Sequence, residues 1–158
     1  YLPFADSVFK EQLDCLEKLY DFNSTRPHEL EKREALLKDM FASIGEGCYV
    51  EPPFYANWGG KHVHFGKKVY ANFNLTLVDD TYIYVGDYTL IGPNVTIATA
   101  CHPILPKLRK EGYQYNESVH IGKNCWIGAN TVVAVGNPCR VLREIEENDK
   151  SELLKFEK

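Results

Sequence analysis

The stretch Val85-Gly86-Asp87-Tyr88-Thr89-Leu90-Ile91-Gly92-Pro93-Asn94-Val95-Thr96-Ile97-Ala98 decides the reading of this chain. An aliphatic residue followed by Gly or Ala returns every six positions, and another modest side chain sits four positions after each leading residue: Thr89, Val95 and Cys101. The same phase governs Ile121-Gly122, Ile127-Gly128 and Val133-Ala134, with Cys125 and Thr131 in the small slot. Phe65-Gly66, Ala71-Asn72 and Leu77-Val78 form a more degenerate set, with Val69 and Leu75. Six-residue repetition is a signature of a parallel β-helix, in which each unit supplies one short strand and one turn and three units close a triangular coil. The leading residue is expected inside, the small residue at the tight corner, and Gly where the turn needs its conformational freedom. Asn72 stands in the usual Gly slot, a position Asn tolerates because it visits the left-handed region.

Outward from the repeats, the front of the chain is helical. Phe9, Leu13, Leu16 and Tyr20 recur at helical spacing. Asn23-Ser24-Thr25-Arg26-Pro27 breaks the pattern, with Pro27 suited to a first helical turn. A second helix then runs to about Phe41, with Leu30, Leu36, Leu37, Met40 and Phe41 on its buried side. The organisation is a helical segment over 1–43, a β-helix over 44–143 with an excursion at 98–118, and a C-terminal tail over 144–158.

Composition narrows the function. A chain of 158 residues with 44% hydrophobic content suits one domain. A net charge of −4 argues against nucleic acid, whose binding draws most of its affinity from Lys and Arg on phosphates. No apolar run approaches a membrane-spanning length, and Tyr1 to Lys10 carries no secretion signal, so a cytoplasmic protein is expected. Five cysteines without a CxxC pair speak against a disulfide framework or zinc knuckle. Cys48, Cys101 and Cys125 fall in the small slot of the repeat and read as buried corner residues.

Chemistry on a regular solenoid is expected where the period breaks, because loops on a rigid scaffold carry function. One break is a two-residue slip after Leu77 that accommodates Val78-Asp79-Asp80. These aspartates are either turn residues or acceptors for ligand hydroxyls. The other break is the long excursion between Ile97 and Val119, which holds His102-Pro103, Arg109, Tyr113 and Tyr115. His102 sits where a repeat leaves the coil, and Pro103 holds it extended. It is either a surface-loop histidine or a base, since a free imidazole with a pKa near 6.5 accepts protons at neutral pH. His62 and His64 point one way if extended, but a zinc site needs three convergent ligands, and no metal is expected.

The segments Tyr70-Ala71-Asn72-Phe73-Asn74, Val78-Asp79-Asp80, His102-Pro103, Cys125-Trp126-Ile127-Gly128 and Ala134-Val135-Gly136-Asn137-Pro138-Cys139-Arg140 closely resemble the galactoside and maltose O-acetyltransferases. The helical front, with Phe22-Asn23, Arg26-Pro27 and Glu31-Lys32-Arg33, is similar to theirs as well. The resemblance implies left-handed coils, against the usual right-handed crossover. It also implies a homotrimer with sites in the clefts between neighbouring helices, and transfer of acetyl from acetyl-CoA to a sugar hydroxyl. On that likeness His102 is the catalytic base, and Asn72 assists at the reacting centre. Asp80, Asn57 and Asp6 contact the acceptor. Trp126 and Ala129 lie along CoA, and Arg140 and Arg143 hold its phosphates. A non-catalytic trimeric scaffold, or a xenobiotic acetyltransferase of the chloramphenicol type, are the competing readings.

The chain departs from that family in one large respect. Members continue past Trp-Ile-Gly with further hexapeptides before the Ala-Val-Gly-Asn-Pro segment, whereas here Val133 runs straight into Ala134. Roughly four units are absent, with the phase of six preserved. If they are truly lost, the pantetheine channel is incomplete and CoA binding is in doubt.

Overall fold

The computed structural model describes residues 6–134, with side chains from residue 8. The chain opens with α1 (Asp6–Asn23) and α2 (Leu30–Met40) and then winds into coils. The first coil is β1 (Ser43–Ile44), β2 (Tyr49–Val50) and β3 (Tyr55–Ala56); the second is β4 (Val63–Phe65), β5 (Tyr70–Ala71) and β6 (Thr76–Val78). The third is β7 (Ile83–Val85), β8 (Leu90–Ile91) and β9 (Thr96–Ala98). There the excursion leaves as β10 (Ala100–Cys101), α3 (Pro106–Lys110) and β11 (Tyr115–Asn116). The described residues end with β12 (Val119–Ile121), β13 (Trp126–Ile127) and β14 (Val132–Ala134).

Corresponding strands stack into three parallel four-stranded sheets, ordered β1-β4-β7-β12, β2-β5-β8-β13 and β3-β6-β9-β14. The result is a left-handed parallel β-helix with a helical front. Register places every leading residue over its counterpart, as in Ile44, Phe65, Val85 and Ile121, so aliphatic columns fill the prism. Phe65, Ala71, Leu77, Val85, Ile91 and Ile97 are all buried. Ile121, Ile127 and Val133, in the last described coil, are only partly so.

Two assignments inside the repeat are corrected. The left-handed residue lies three positions after the leading one, at Lys68, Asn74, Tyr88, Asn94, Asn124 and Asn130, all with φ between 51° and 60°. Asn72 has no positive φ, and the Asn tolerance for that region is used two positions later, by Asn74. The glycine after the leading residue answers a different need. A Cβ on Gly86, whose φ is not positive, would stand 2.7 Å from the backbone of Gly122 and Lys123 in the next coil. Close approach between coils, rather than turn conformation, requires it.

Cys48 does sit in a corner, its thiol donating to the Gly66 carbonyl at 3.0 Å, and burial pushes that thiol's pKa up. Cys125 follows the same column, with its N–H donating to Thr89 Oγ1 at 3.2 Å. Cys101 does not. It belongs to an antiparallel pair with Tyr115, because the chain has already left the coil.

The helical front plugs the first coil. Phe22, Phe41, Phe54 and Phe65 pack edge-on, with centroids 5.1–6.0 Å apart. Asn23 serves Phe54 as a strand would, accepting its N–H at 3.0 Å and donating to its carbonyl at 2.7 Å. Arg33 is buried and donates to Thr25 Oγ1 at 2.8 Å, Tyr49 OH at 3.0 Å and the Arg26 carbonyl at 3.2 Å. The buried face of α1 is Leu19 and Phe22, with Leu16 beside them; Phe9, Leu13 and Tyr20 share the helical spacing but are exposed. Leu30 is exposed too, while Leu37, Met40 and Phe41 are buried as the spacing suggests. Pro27 lies in a turn, and α2 begins three residues later.

Candidate active site

The candidate site grows from the prism edge where the third sheet hands the chain back to the first. Two segments meet there: residues 57–62 after β3 and residues 79–82 after β6. The adjacent aspartates point opposite ways. Asp79 has no exposed surface, and its two carboxylate oxygens accept the N–H groups of Trp58 at 2.8 Å and Gly60 at 3.0 Å. Burial raises its pKa above the usual carboxylate value, against the pull of those N–H groups. His62 Nδ1 donates to the Asp79 carbonyl at 2.7 Å. Asp79 therefore holds the turn of the neighbouring coil, and only Asp80 faces outward. Asn57 Nδ2 donates to Asp80 Oδ2 at 3.0 Å, and Gln12 of α1 donates to the Asn57 carbonyl at 3.0 Å.

The excursion folds over the same edge. Its hairpin is anchored where Asn116 Nδ2 donates to the Asp80 carbonyl at 3.1 Å and where Glu117 N–H meets the Thr99 carbonyl at 3.0 Å. Arg109 Nη1 donates to the carbonyl of Pro103 at 2.8 Å and to that of Ile104, tying α3 back to the His102-Pro103 strand. His102 Nδ1 lies 3.2 Å from the Tyr113 carbonyl. A carbonyl oxygen only accepts, so Nδ1 carries a hydrogen, and in the neutral ring the lone pair falls on Nε2. The ring is exposed. Between α1, the Asn57 turn and the excursion lies a cleft of about 420 Å³, lined by Phe9, Gln12, Asn57, Asp80, His102, Arg109, Gly112 and Gln114.

The structure thus brings together His102, Asp80 and Asn57. It does not bring Asn72 to them within one chain. Asn72 follows β5 on another prism edge, where its Oδ1 accepts the Phe73 N–H at 2.8 Å and its N–H donates to the Ile91 carbonyl at 2.9 Å. Trp126 and Ala129 belong to that second edge, in the last described coil. Trp126 is 82% exposed, opposite Leu90, and Ala129 stands over Gly92. The Asp6 side chain, Arg140 and Arg143 lie outside the described residues. Among the described residues no group of three or more His, Cys, Asp or Glu is arranged so that it could hold a metal ion; His62 bonds the Asp79 carbonyl and His64 stacks on Tyr84. No described helix is long and apolar enough to cross a membrane.

Five lining residues escaped the sequence reading of the site. Phe9 shows in the sequence only through its helical spacing, and Gln12, Gly112 and Gln114 carry no signal. Arg109 was visible only as one cation in the excursion.

A model of the maltose acetyltransferase hexapeptide capping motif matches residues 1–45. The galactoside O-acetyltransferase of Lactococcus lactis is 47% identical, over 94% of this chain and 85% of its own length. The chain belongs to the galactoside and maltose O-acetyltransferase family. It is thereby an acyltransferase. The family's Escherichia coli galactoside O-acetyltransferase is 42% identical, over 95% of this chain and 87% of its own. Solved family structures agree in fold. A galactoside acetyltransferase in complex with coenzyme A superposes with a TM-score of 0.85 at 38% identity, covering 95% of this chain and 88% of that one. A maltose O-acetyltransferase from Clostridium difficile gives 0.84 at 34%, covering 93% and 92%. The alignment with the L. lactis family member spans 176 positions, more than the 158 residues here, so that relative carries residues this chain lacks.

Proposed function

We propose that this chain is an acetyl-CoA-dependent O-acetyltransferase that acts on a sugar hydroxyl by direct transfer, with His102 as general base. The observation that carries this reading is the bond between His102 Nδ1 and the Tyr113 carbonyl, which in the neutral ring puts the lone pair on Nε2, beside the cleft lined by Asn57 and Asp80. The coenzyme A held by the related galactoside acetyltransferase supports acetyl-CoA as donor. Asp80, Asn57 and the N-terminal segment that includes Asp6 orient the acceptor. His102 Nε2 takes the hydroxyl proton as that oxygen bonds to the thioester carbonyl carbon. The charge developing on the carbonyl oxygen is met by the amide of Asn72 or a backbone N–H. As the tetrahedral centre collapses, the C–S bond breaks and His102 returns the proton to the departing thiolate. Trp126, Ala129, Arg140 and Arg143 hold CoA.

Because Asn72 and His102 occupy different edges of one prism, the reading includes a homotrimer in which the Asn72 edge of one copy faces the His102 edge of the next. His102→Ala tests the base. A free-thiol release assay with acetyl-CoA and galactoside, maltose or glucose acceptors should show turnover reduced roughly 10²–10⁴-fold. Retention of most of the turnover refutes this mechanism.

One observation favours a second reading, a scaffold that no longer catalyses: the relative's extra residues, read with the missing hexapeptides after Val133. Calorimetric titration with acetyl-CoA separates the two, since a scaffold gives no saturable heat.

A further inference from the structure

The cleft is chemically two-sided. Asn57, Asp80 and Gln114 offer hydrogen bonds, whereas Phe9 contributes the one aromatic hydrocarbon ring among its described lining residues. Phe9 shares the helical spacing of Leu13, Leu16 and Tyr20, and it is 56% exposed. A single exposed apolar residue needs no explanation by itself. This one is held over a cleft by a specific contact. Gln12, one turn further along α1 and on the same face, donates to the Asn57 carbonyl at 3.0 Å, which fixes that face of the helix against the acceptor shelf.

A pyranose ring has the matching asymmetry. Its axial C–H groups make an apolar face, and its hydroxyls project around the rim. We infer that Phe9 is the platform for the apolar face of the acceptor ring, and so a specificity-determining residue that selects cyclic sugars over open-chain alcohols. This rests on the sugar-acceptor reading above. The aromatic face is negative and attracts the weakly positive C–H edge, while the rim hydroxyls stay free for Asp80, Asn57 and His102 Nε2. An open-chain polyol presents hydroxyls all round and gains little from the ring. Other α1 residues left exposed, such as Tyr20, do not line this cleft.

The test is steady-state kinetics on the full chain with a methyl pyranoside and with glycerol as acceptors, comparing Phe9→Ala, Phe9→Leu and Phe9→Trp. The alanine variant should raise KM for the pyranoside on the order of tenfold, with a far smaller change for glycerol and for acetyl-CoA. Tryptophan should restore the pyranoside KM, and leucine only in part. Saturation-transfer NMR should show the axial ring protons receiving most magnetisation, an effect lost in Phe9→Ala. An unchanged pyranoside KM in a folded alanine variant, or an equal rise for glycerol, overturns the platform and leaves the acetyltransferase reading standing. No turnover by the unaltered chain with any pyranoside refutes the acceptor reading itself.

Discussion

Asp79 gives the sharpest test of how the prism holds the candidate site. Asp79→Ala deletes the acceptor for two N–H groups, those of Trp58 and Gly60, at a residue with no exposed surface. An orphaned buried N–H costs about 1–3 kcal/mol, so the gross loss is about 2–6 kcal/mol. Part is returned, because removing the carboxylate also removes its desolvation cost, the first cause of its raised pKa. A net destabilisation of about 2–4 kcal/mol remains, a large share of the 5–15 kcal/mol typical of a domain. Asp79→Asn keeps one acceptor but turns an NH₂ toward the other N–H, and should cost about 1–3 kcal/mol.

Urea unfolding followed by tryptophan fluorescence measures both. Trp58 sits on the turn that Asp79 holds, so its emission should shift red in the native baseline as well. The same turn carries Asn57, so acceptor KM should rise while acetyl-CoA KM holds. The pH dependence has a definite sign. The folded pKa lies above the ordinary aspartate value of 3.8, so the native state binds more protons than the unfolded chain across that window. For this group, stability falls as pH rises from 3.8 through the folded pKa and is level beyond it. Asp79→Asn should abolish that slope. An alanine variant within about 0.5 kcal/mol of the unaltered chain, with unchanged acceptor KM, would mean that the buried carboxylate does not hold the Asn57 turn.

Four further outcomes are expected. Arg33→Met strips the donor from Thr25, Tyr49 and the Arg26 carbonyl and should lower unfolding free energy by about 2–3 kcal/mol in urea titrations. Gly86→Val places carbon 2.7 Å from the next coil's backbone and should destabilise by at least about 1–3 kcal/mol, with proteolysis beginning after residue 119. Asn116→Ala frees the hairpin from the Asp80 carbonyl and should lower kcat for acetyl transfer on the order of tenfold, with melting temperature little changed. Lys123→Ala removes a solvent-screened surface ion pair with Asp87 at 2.8 Å and should leave the midpoint of the same titration essentially unchanged.

The period of six was legible without coordinates because each hexapeptide carries its own instruction. An aliphatic residue must leave water once per strand, and that constraint repeats locally whatever the next coil contains. The inward columns, the three sheets and the placement of Cys48 and Cys125 follow from it. His102, Asp80 and Asn57 were nameable because the resemblance rests on short segments, and the break in period marked where the chain leaves the prism.

What the period did not carry was anything set by residues about twenty positions apart or more. Gly86 is glycine because of the backbone of Gly122, and nothing beside Gly86 in the chain says so. Asp79 and Asp80 are chemically alike, and only the N–H groups of a different coil turn one inward and leave the other at the cleft. The helical spacing of Phe9 and Leu13 is real, but which face of α1 is buried depends on where Phe54 and the Asn57 turn stand. Local periodicity specifies which side chains avoid water. The approach of distant backbones specifies which of the remaining ones meet.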